Sequence, residues 1–412
     1  MEVLESLFTK ALKLESPWAI TKIEFQEIVG IIKVFVDFPR GSLFCCPACG
    51  KSVKAYDTTE KEWRHLNFFQ YACYLVVRVP RTDCPDDGIL QIEVPWARDG
   101  ADFTFLFESF AMTLVREMPV NKVSQIIKVD DNKLWRMMQH YTEAARQQEE
   151  YSSVKQIGVD ETSKAKGHDY VSLFVDLAEK RTIFVAEGKG SETMTAFVKD
   201  FEEHNGNPED ITDVSIDMSP AFIKGVEENL PNAAITFDKY HIMKIINAAV
   251  DSVRKAEAKE QYLLRGQKYL FLKNRGNLTE AQCKTLKTIE SMPRINLKTV
   301  RAYHIRENFQ EVYKEATQEG FERALKKWYF WATHSRIEEI KEAAKMVKRH
   351  WSGVLRWYIS RINNGILEGL NSLVQAAKAK ARGYRTFKNL KTMIYMLTGK
   401  LDYIQTRKFV DI

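Results

Sequence analysis

The sequence has no apolar run long enough to cross a membrane. A transmembrane helix needs about 20 mostly apolar residues, and no run in this chain of 412 residues reaches that length. The first residues, Met-Glu-Val-Leu-Glu-Ser-Leu-Phe, carry acids where a signal peptide carries bases. Internal repeats and low-complexity segments do not stand out. We therefore expect a cytoplasmic globular protein of two to four domains, because one core rarely serves a chain of this length.

Cysteine is scarce, with six residues in the chain. Disulfides are not expected in a cytoplasmic protein, because that compartment keeps thiols reduced. Cys45, Cys46 and Cys49 nevertheless crowd into five positions, and such crowding favours metal binding over core packing. Cys73 and Cys283 have apolar or helical surroundings, which predicts that they are packing residues.

Positive charge is concentrated at the C-terminal end of the chain. From Lys345 onward there are 14 Lys or Arg and 3 Asp or Glu, a net charge of +11, so residues 1–344 carry −5 of the total of +6. Lys and Arg bind phosphates, and this asymmetry indicates a polyanionic partner. A solvated helix face would give the same composition, and charge alone leaves both interpretations open.

Periodicity divides the chain into five segments and predicts a multidomain α/β protein. Residues 1–98 alternate and predict a β-rich domain, whereas residues 99–150 predict helices at 103–117, 120–127 and 132–147. Residues 151–259 predict strands at 154–160, 170–176 and 181–187, a helix, a strand at 213–217, a helix and a strand at 234–237, the order of an RNase H-like sheet. Residues 260–350 predict an all-α insertion, and residues 351–412 the last helices of the domain that this insertion interrupts, with a basic tail.

Two acids end predicted strands of the third segment. Asp160 follows the apolar residues 157–159, and Asp217 follows residues 214–216. A carboxylate at the end of a buried strand needs solvent, a partner or a cation, and Mg²⁺ prefers oxygen ligands. Glu368, from a later helix, could complete a two-metal site. Alternatively, these acids are turn or cap residues, and Asp217 before Met-Ser-Pro could simply begin a helix.

The flanking sequences favour the metal-binding interpretation. Five motifs occur in order: Val159-Asp-Glu-Thr, Ser215-Ile-Asp-Met-Ser-Pro-Ala-Phe, Thr236-Phe-Asp-Lys-Tyr-His-Ile-Met-Lys, Asn364-Gly-Ile-Leu-Glu-Gly-Leu-Asn and Ala381-Arg-Gly-Tyr-Arg-Thr-Phe-Lys-Asn-Leu. Over nearly the whole chain, this pattern resembles the DDE transposases of bacterial insertion sequences, in the branch called the ISL3 family.

The resemblance implies an RNase H-like catalytic domain with Asp160, Asp217 and Glu368 as ligands of two Mg²⁺ or Mn²⁺ ions. Asp238 and His241 are prominent in the family pattern without being metal ligands. His241 lies about one helical turn from Asp238, so it could bond that acid, contact DNA or be a structural histidine.

The cysteine-rich segment predicts a zinc knuckle. Cys46-Pro-Ala-Cys49-Gly is a tight turn with two cysteines, and Cys84-Pro-Asp-Asp87-Gly could supply the other half. In the family that the chain resembles, the fourth position is usually Cys or His, so Asp87 departs from the pattern. Zinc held by three sulfurs and one carboxylate, use of Cys45 in place of Asp87, and loss of the metal all remain open.

The second segment has the spacing of a helix-turn-helix. Val123, Ile126, Val129, Leu134 and Met138 are predicted to form its small core, with Asp130 as the N-cap of the second helix. The turn near Lys128 needs a residue that tolerates positive φ, where Gly is usual. Two sets of residues are expected to contact DNA: Asn132, Lys133, Arg136 and Gln139 in the major groove, and Lys378, Lys380, Arg382, Arg385 and Lys388 at phosphates near the metals.

Together these features predict a DNA transposase, acting as at least a dimer on double-stranded DNA at the nucleoid. It would bind terminal inverted repeats, cut the DNA ends and join the 3′-hydroxyl to target DNA. A catalytically inactive DNA-binding regulator and an RNase H-like nuclease without strand transfer are the alternatives. The aromatic residues of the insertion (Tyr262, Tyr269, Phe271, Trp328, Phe330 and Trp331) are expected in its core rather than as base-stacking platforms.

Overall fold

The structure is a computed structural model that describes residues 2–164, 169–292, 297–362 and 365–403. The chain divides into two compact units. Unit 1 contains Met1–Ala145 with the segment that begins at Asp402, and unit 2 contains Arg146–Leu401. Each unit has its own sheet and its own hydrophobic core.

In its described residues, unit 1 contains an N-terminal helix, a six-stranded sheet and three further helices. In the sheet, the strand order is β1-β2-β5-β4-β3, and β6 pairs with β5. The elements are α1 (Glu2–Ala11), β1 (Ala19–Gln26), β2 (Ile31–Asp37), β3 (Leu43–Cys45), β4 (Ser52–Arg64), β5 (Ala72–Cys84), β6 (Gly88–Gln91), α2 (Phe105–Glu117), α3 (Val120–Ile127) and α4 (Asp131–Arg146).

The sheet of unit 1 buries one face over an aromatic core. Buried and partly exposed residues alternate along β2, as expected for a strand with one face toward a core. Trp18 and Trp96 meet edge to face with ring centroids 5.0 Å apart. Cys73 is 1% exposed in this core, which confirms that it is a packing residue.

Helices α3 and α4 form the predicted hairpin, with one correction to its core. Asp130 caps α4, since its carboxylate accepts a hydrogen bond from the backbone N–H of Asn132 at 2.9 Å. Lys128 has a φ of 55° and ends α3 in the left-handed region, so lysine takes the place expected for glycine. The prediction for Ile126 was wrong: it is 51% exposed, and Ile127 is buried instead, because Ile127 lies on the same face of α3 as the buried Val120 and Val123.

Unit 2 contains a five-stranded sheet in the order β11-β10-β7-β8-β9. Strands β7 and β11 run parallel to β10, while β8 is antiparallel to both β7 and β9. The elements that build this sheet and cover it are β7 (Gln156–Ser163), β8 (Tyr170–Asp176), β9 (Arg181–Glu187), α5 (Glu192–Glu203), β10 (Asp213–Ile216), α6 (Pro220–Asn229), β11 (Ala234–Phe237) and α7 (Lys239–Glu257).

Strand β7 is longer than its apolar run predicts. Its pairing with β10 is described from Gln156 to Gly158, but its pairing with β8 continues to Ser163. Asp160 therefore lies within the strand rather than at its end. The polar residues after Asp160 remain extended because β8 supplies their backbone partners.

Eight helices follow in the described part of unit 2, and those within residues 260–350 share one continuous core with the sheet. Phe271 and Trp328 are buried there, as predicted. Four other aromatics expected in the core are not: Tyr262, Tyr269, Phe330 and Trp331 are exposed by 42–78%. The helices are α8 (Lys268–Leu272), α9 (Glu280–Glu290), α10 (Lys298–Val312), α11 (Gln318–Thr333), α12 (Glu338–Arg349), α13 (Trp351–Ser360), α14 (Gly365–Ala381) and α15 (Phe387–Thr398).

None of the helices within the described ranges is long and apolar enough to cross a membrane.

Candidate active site and metal centre

Asp160, within β7, and Asp217, directly after β10, lie at the same end of two neighbouring strands of the unit 2 sheet. The register of β7 with β10 pairs Gly158 with Ser215, and each aspartate lies two residues further along its own chain. Asp217 begins the turn into α6, where its carboxylate accepts a hydrogen bond from the backbone N–H of Ser219 at 2.8 Å. Parallel pairing thus brings the two aspartates to the same end of neighbouring strands, beyond the last residues that β7 pairs with β10.

The Asp160 carboxylate is held by two donors in a largely buried setting. The backbone N–H of Glu161 donates to Oδ1 at 2.8 Å, and Asn371 Nδ2 donates to Oδ2 at 2.5 Å. Burial nevertheless raises the pKa of Asp160, and the nearby charge of Asp238 raises it further. A carboxylate whose ionised form is disfavoured in this way gains stability from a bound cation, so its environment fits a divalent metal.

Glu161 is an acid at this edge that the sequence analysis did not single out. Burial raises its pKa, and the charge of Asp217 is the next largest cause of the rise. The negative charge of Asp217 therefore raises the pKa of Glu161, and the positive charge of Lys189 lowers it. Its place beside Asp160 in the first motif was the available signal, but strand alternation predicts opposite faces for consecutive residues.

Glu368 lies in the first turn of α14 and is exposed. It lines a cavity that Asp238 also lines. In the described part of the chain, the ligand atoms of Asp160, Asp217 and Glu368 do not form a cluster within 4.8 Å of one another. Two ions about 4 Å apart, each with ligands at about 2.1 Å, would separate the outermost ligand atoms by up to about 8 Å. A spacing beyond 4.8 Å therefore excludes a single ion shared by all three carboxylates in this arrangement.

A side-chain ladder fixes α14 along β7. Alternate residues of the strand meet successive turns of the helix, since two strand residues span nearly the length of four helical residues. Three pairs make the ladder: Gly158 with Leu367, Asp160 with Asn371, and Thr162 with Gln375.

The contact between β7 and Leu367 requires glycine at position 158. A Cβ at Gly158 would lie 2.9 Å from Leu367 Cδ1, so the absence of a side chain permits close approach. These contacts hold α14, which carries Glu368, against β7, which carries Asp160.

Asp238 and His241 lie beside Asp160. Asp238 caps α7 by accepting a hydrogen bond from the backbone N–H of Tyr240 at 2.8 Å. His241 Nε2 is 3.7 Å from Asp238 Oδ2 and 3.9 Å from Asp160 Oδ1. Those distances suit an electrostatic contact rather than a direct hydrogen bond. His241 therefore sits between two acids of the site, where a protonated imidazole would balance their charge.

Four residues of unit 1 form a compact group of metal-ligating type. Cys46 and Cys49 lie in the β3–β4 turn, Cys84 ends β5, and Asp87 lies in the β5–β6 turn, with their ligand atoms all within 4.8 Å of one another. Cys49 Sγ is 3.4 Å from Cys84 Sγ, and Asp87 Oδ2 is 3.4 Å from both Cys46 Sγ and Cys84 Sγ.

The four ligand atoms fit zinc. Tetrahedral zinc, with Zn–S bonds of about 2.3 Å, needs sulfurs about 3.8 Å apart, so small side-chain rotations suffice. Hydrogen bonding to Asp87 raises the pKa of Cys49 to about 12, and the three thiols lower the pKa of Asp87. Cys45, the other candidate ligand, lies outside this group in the described structure.

The residues predicted to contact DNA differ in their surroundings. On α4, Asn132 and Arg136 are exposed, while Gln139 and Lys133 are half-buried. Lys133 Nζ lies 3.1 Å from Asp102 Oδ2.

In unit 2, the predicted phosphate-binding residues follow Glu368 along the chain. Lys378 is half-buried and donates a hydrogen bond to the backbone carbonyl of Ser163. The others are exposed: Lys380, Arg382, Arg385 and Lys388.

Three family models match successive parts of the chain. A model described as a zinc-finger of the transposases of IS204, IS1001, IS1096 and IS1165 matches residues 42–87. A model described as the helix-turn-helix domain of transposase family ISL3 matches residues 92–142. A model described as a transposase, of the ISL3 DDE type, matches residues 157–394, more than half of the chain.

Curated relatives extend over most of the chain. Transposases for insertion sequence element IS1557 from two strains of Mycobacterium tuberculosis are 24% identical to it over 425 residues, covering 92% of each chain. The transposase for insertion sequence element IS1001 of Bordetella parapertussis is 23% identical over 378 residues, covering 89% of this chain and 92% of the relative.

Fold, site and matches together define a DNA transposase. Its zinc-ribbon, helix-turn-helix and DDE domains follow one another in a mixed α/β chain. The chain belongs to the ISL3 family of transposases.

Proposed function

We propose that this transposase cuts the ends of its insertion sequence and joins their 3′-hydroxyls to target DNA by two-metal-ion phosphoryl transfer. One observation carries the proposal. Asp160 within β7 and Asp217 directly after β10 lie at the same end of adjacent parallel strands, and the helix that carries Glu368 is hydrogen-bonded to Asp160 through Asn371.

The sheet of unit 2 supports an RNase H-like assignment for the catalytic domain. Its first three strands form an antiparallel meander, and its last two run parallel to the first, on the other side of it. The two parallel strands that present Asp160 and Asp217 are therefore central neighbours. A nuclease of this class needs that arrangement, because both acids must reach the same ions.

In the proposed reaction, Asp160, Asp217 and Glu368 hold two Mg²⁺ or Mn²⁺ ions, which when bound activate the attacking oxygen and stabilise the leaving oxygen. Asn371 and the backbone N–H of Glu161 orient the Asp160 carboxylate. The same residues serve hydrolysis and strand transfer, since water and a 3′-hydroxyl attack phosphorus in the same in-line manner. No covalent enzyme intermediate is required.

Recognition of the terminal inverted repeats is assigned to unit 1. Zinc held by Cys46, Cys49, Cys84 and Asp87 would fix the two turns against each other, and zinc sites of this kind stabilise small domains. Asn132 and Arg136 project from α4 into solvent, and with Lys133 and Gln139 they would read the major groove.

Phosphate binding in unit 2 is assigned to the basic residues after Glu368: Lys378, Lys380, Arg382, Arg385 and Lys388. Two DNA ends must be cut and joined together, so at least a dimer acts on DNA, at the nucleoid.

The experiment is a cleavage and strand-transfer assay on DNA of the element ends, with Mg²⁺ or Mn²⁺. We compare the wild type with Asp160→Asn, Asp217→Asn and Glu368→Gln. Metal-dependent cleavage and joining, lost in each variant while DNA binding persists, is the expected result. Cleavage of paired ends without joining would identify a plain nuclease, and specific binding without cleavage under either metal would identify a regulator.

A further inference from the structure

A polar cavity of about 780 Å³ opens beside Glu368 in unit 2. Its walls come from the start of α7, the end of α8, the middle of α10, the end of α13 and the start of α14. Its volume falls in the range of sites that bind small molecules or single groups of a larger ligand.

Cations outnumber acids in the walls of this cavity. Asp238 and Glu368 are its acidic residues, against four basic ones. Three of these, Lys239, Lys273 and Arg361, form no ion pair with any carboxylate of the described residues within 4.0 Å. An excess of uncompensated positive charge in a partly enclosed space favours an anionic ligand.

The fourth cation, Arg306, has a structural role in the same cavity wall. Arg306 is 2% exposed and donates hydrogen bonds to Asn247, to Asn274 and to the backbone carbonyl of Leu272. Its guanidinium is satisfied by the protein. Arg361 differs, because it is exposed and its guanidinium lies over the rings of Tyr358 and Trp357, with centroids at 3.8 and 5.3 Å.

The cavity also offers groups that bind a nucleobase. Tyr240 lines it with a side chain that is 54% exposed, and an exposed aromatic ring stacks on bases without regard to sequence. The amide of Asn277 lines the same space and can both donate to and accept from a base edge, whereas the side-chain oxygen of Asn274 already accepts from Arg306 and Gln310. Cations, an exposed ring and an amide together match the parts of a nucleotide.

We propose that this cavity binds one unpaired nucleotide of the DNA end that is being cut, with its phosphate at Lys239, Lys273 and Arg361 and its base against Tyr240. The proposal rests on the DNA-cutting function proposed above and specifies the state of its substrate. Because Glu368 lines the cavity, a DNA strand with one nucleotide in the cavity would also pass this predicted metal ligand. An end with frayed or mismatched bases would bind better than a fully paired one, because the cost of unpairing is already met.

The test measures binding without cleavage, using the full-length chain with Ca²⁺ in place of Mg²⁺. The probes are a fluorescein-labelled single-stranded hexanucleotide and a duplex of the element end. The variants are Arg361→Ala, Tyr240→Ala and Tyr240→Phe, with Lys244→Ala as a matched control, an exposed cation on α7 that does not line the cavity. We expect Arg361→Ala and Tyr240→Ala each to weaken binding of the hexanucleotide by about tenfold. Tyr240→Phe should retain wild-type binding, and Lys244→Ala should stay within about twofold.

Three outcomes overturn the proposal. Equal losses for Arg361→Ala and Lys244→Ala would reveal a diffuse electrostatic effect, and equal losses for the duplex and the hexanucleotide would reveal a backbone contact. Wild-type binding by Tyr240→Ala would show that Tyr240 makes no contact with the base. Binding is measured separately from cleavage, so the two proposals can fail independently. A chain that binds the hexanucleotide through the cavity but cuts no DNA would contradict only the proposed transposition chemistry. A chain that cuts and joins DNA but shows no cavity dependence would contradict this inference alone.

Discussion

Replacing Asn371 with leucine tests whether α14 tunes the metal affinity of Asp160. The substitution removes a hydrogen bond of 2.5 Å to the carboxylate and keeps a side chain of similar size. A hydrogen bond to a charged group contributes about 1.5–3 kcal/mol, and each 1.36 kcal/mol is a factor of about ten. Residues that orient metal ligands typically change metal affinity or activity by about 10–100-fold. We therefore expect the Mg²⁺ concentration for half-maximal cleavage to rise by about 10–100-fold.

The assay is a Mg²⁺ titration of end cleavage, with Gln375→Leu as the matched control. Gln375 occupies the next turn of α14 and bonds Thr162 rather than Asp160, so its loss costs a contact of the ladder without touching a predicted ligand. Saturating Mg²⁺ should restore much of the activity of Asn371→Leu. Equal Mg²⁺ dependence of the two variants would contradict this prediction, since the amide of Asn371 would then contribute packing alone.

Three further predictions concern unit 1. Cys84→Ser should lower the bound zinc from one ion per purified chain to nearly none, as measured by atomic emission, and retention of a full equivalent would exclude Cys84 as a ligand. Lys128→Gly should stabilise the chain by about 1 kcal/mol in thermal unfolding, because glycine relieves the left-handed conformation at φ 55°; a loss of stability would refute this. Glu108→Gln should destabilise it, since Glu108 bonds Arg98 and Tyr141. Burial raises the pKa of Glu108, so the advantage of the wild type should shrink as pH rises from the ordinary glutamate pKa to the raised value, and a constant difference across that window would contradict the assignment.

Several elements could be predicted with their bounds from the sequence. The observed strands Tyr170–Asp176, Arg181–Glu187 and Ala234–Phe237 and the helix Val120–Ile127 have their predicted limits. In the strands, nearly continuous apolar residues are buried in the unit 2 sheet, which is the pattern of strands covered on both faces. Local information of this kind is complete within about eight residues, so no knowledge of distant segments is needed.

The arrangement around Asp160 could not be predicted in the same way. That β7 continues to Ser163 depends on backbone partners in β8, and the bond from Asn371 joins residues 211 positions apart. Ile126 and Ile127 are equally apolar, and the face that α3 turns to its neighbours, with Val120 and Val123, decides which one is buried. The motifs identified which residues matter, whereas contacts between distant segments decide how those residues meet.

The ladder between β7 and α14 also sets the order of events on the ribosome. Asp160 is synthesised 211 residues before Asn371, an interval of about 10–40 s at ordinary rates of translation. Throughout that interval, the strand with the first carboxylate lacks the helix that orients it and carries Glu368. A nascent chain, or one cut short before α14, therefore holds two of the three predicted metal ligands. In this way the nuclease is assembled last, after the parts that would select its DNA have already left the ribosome.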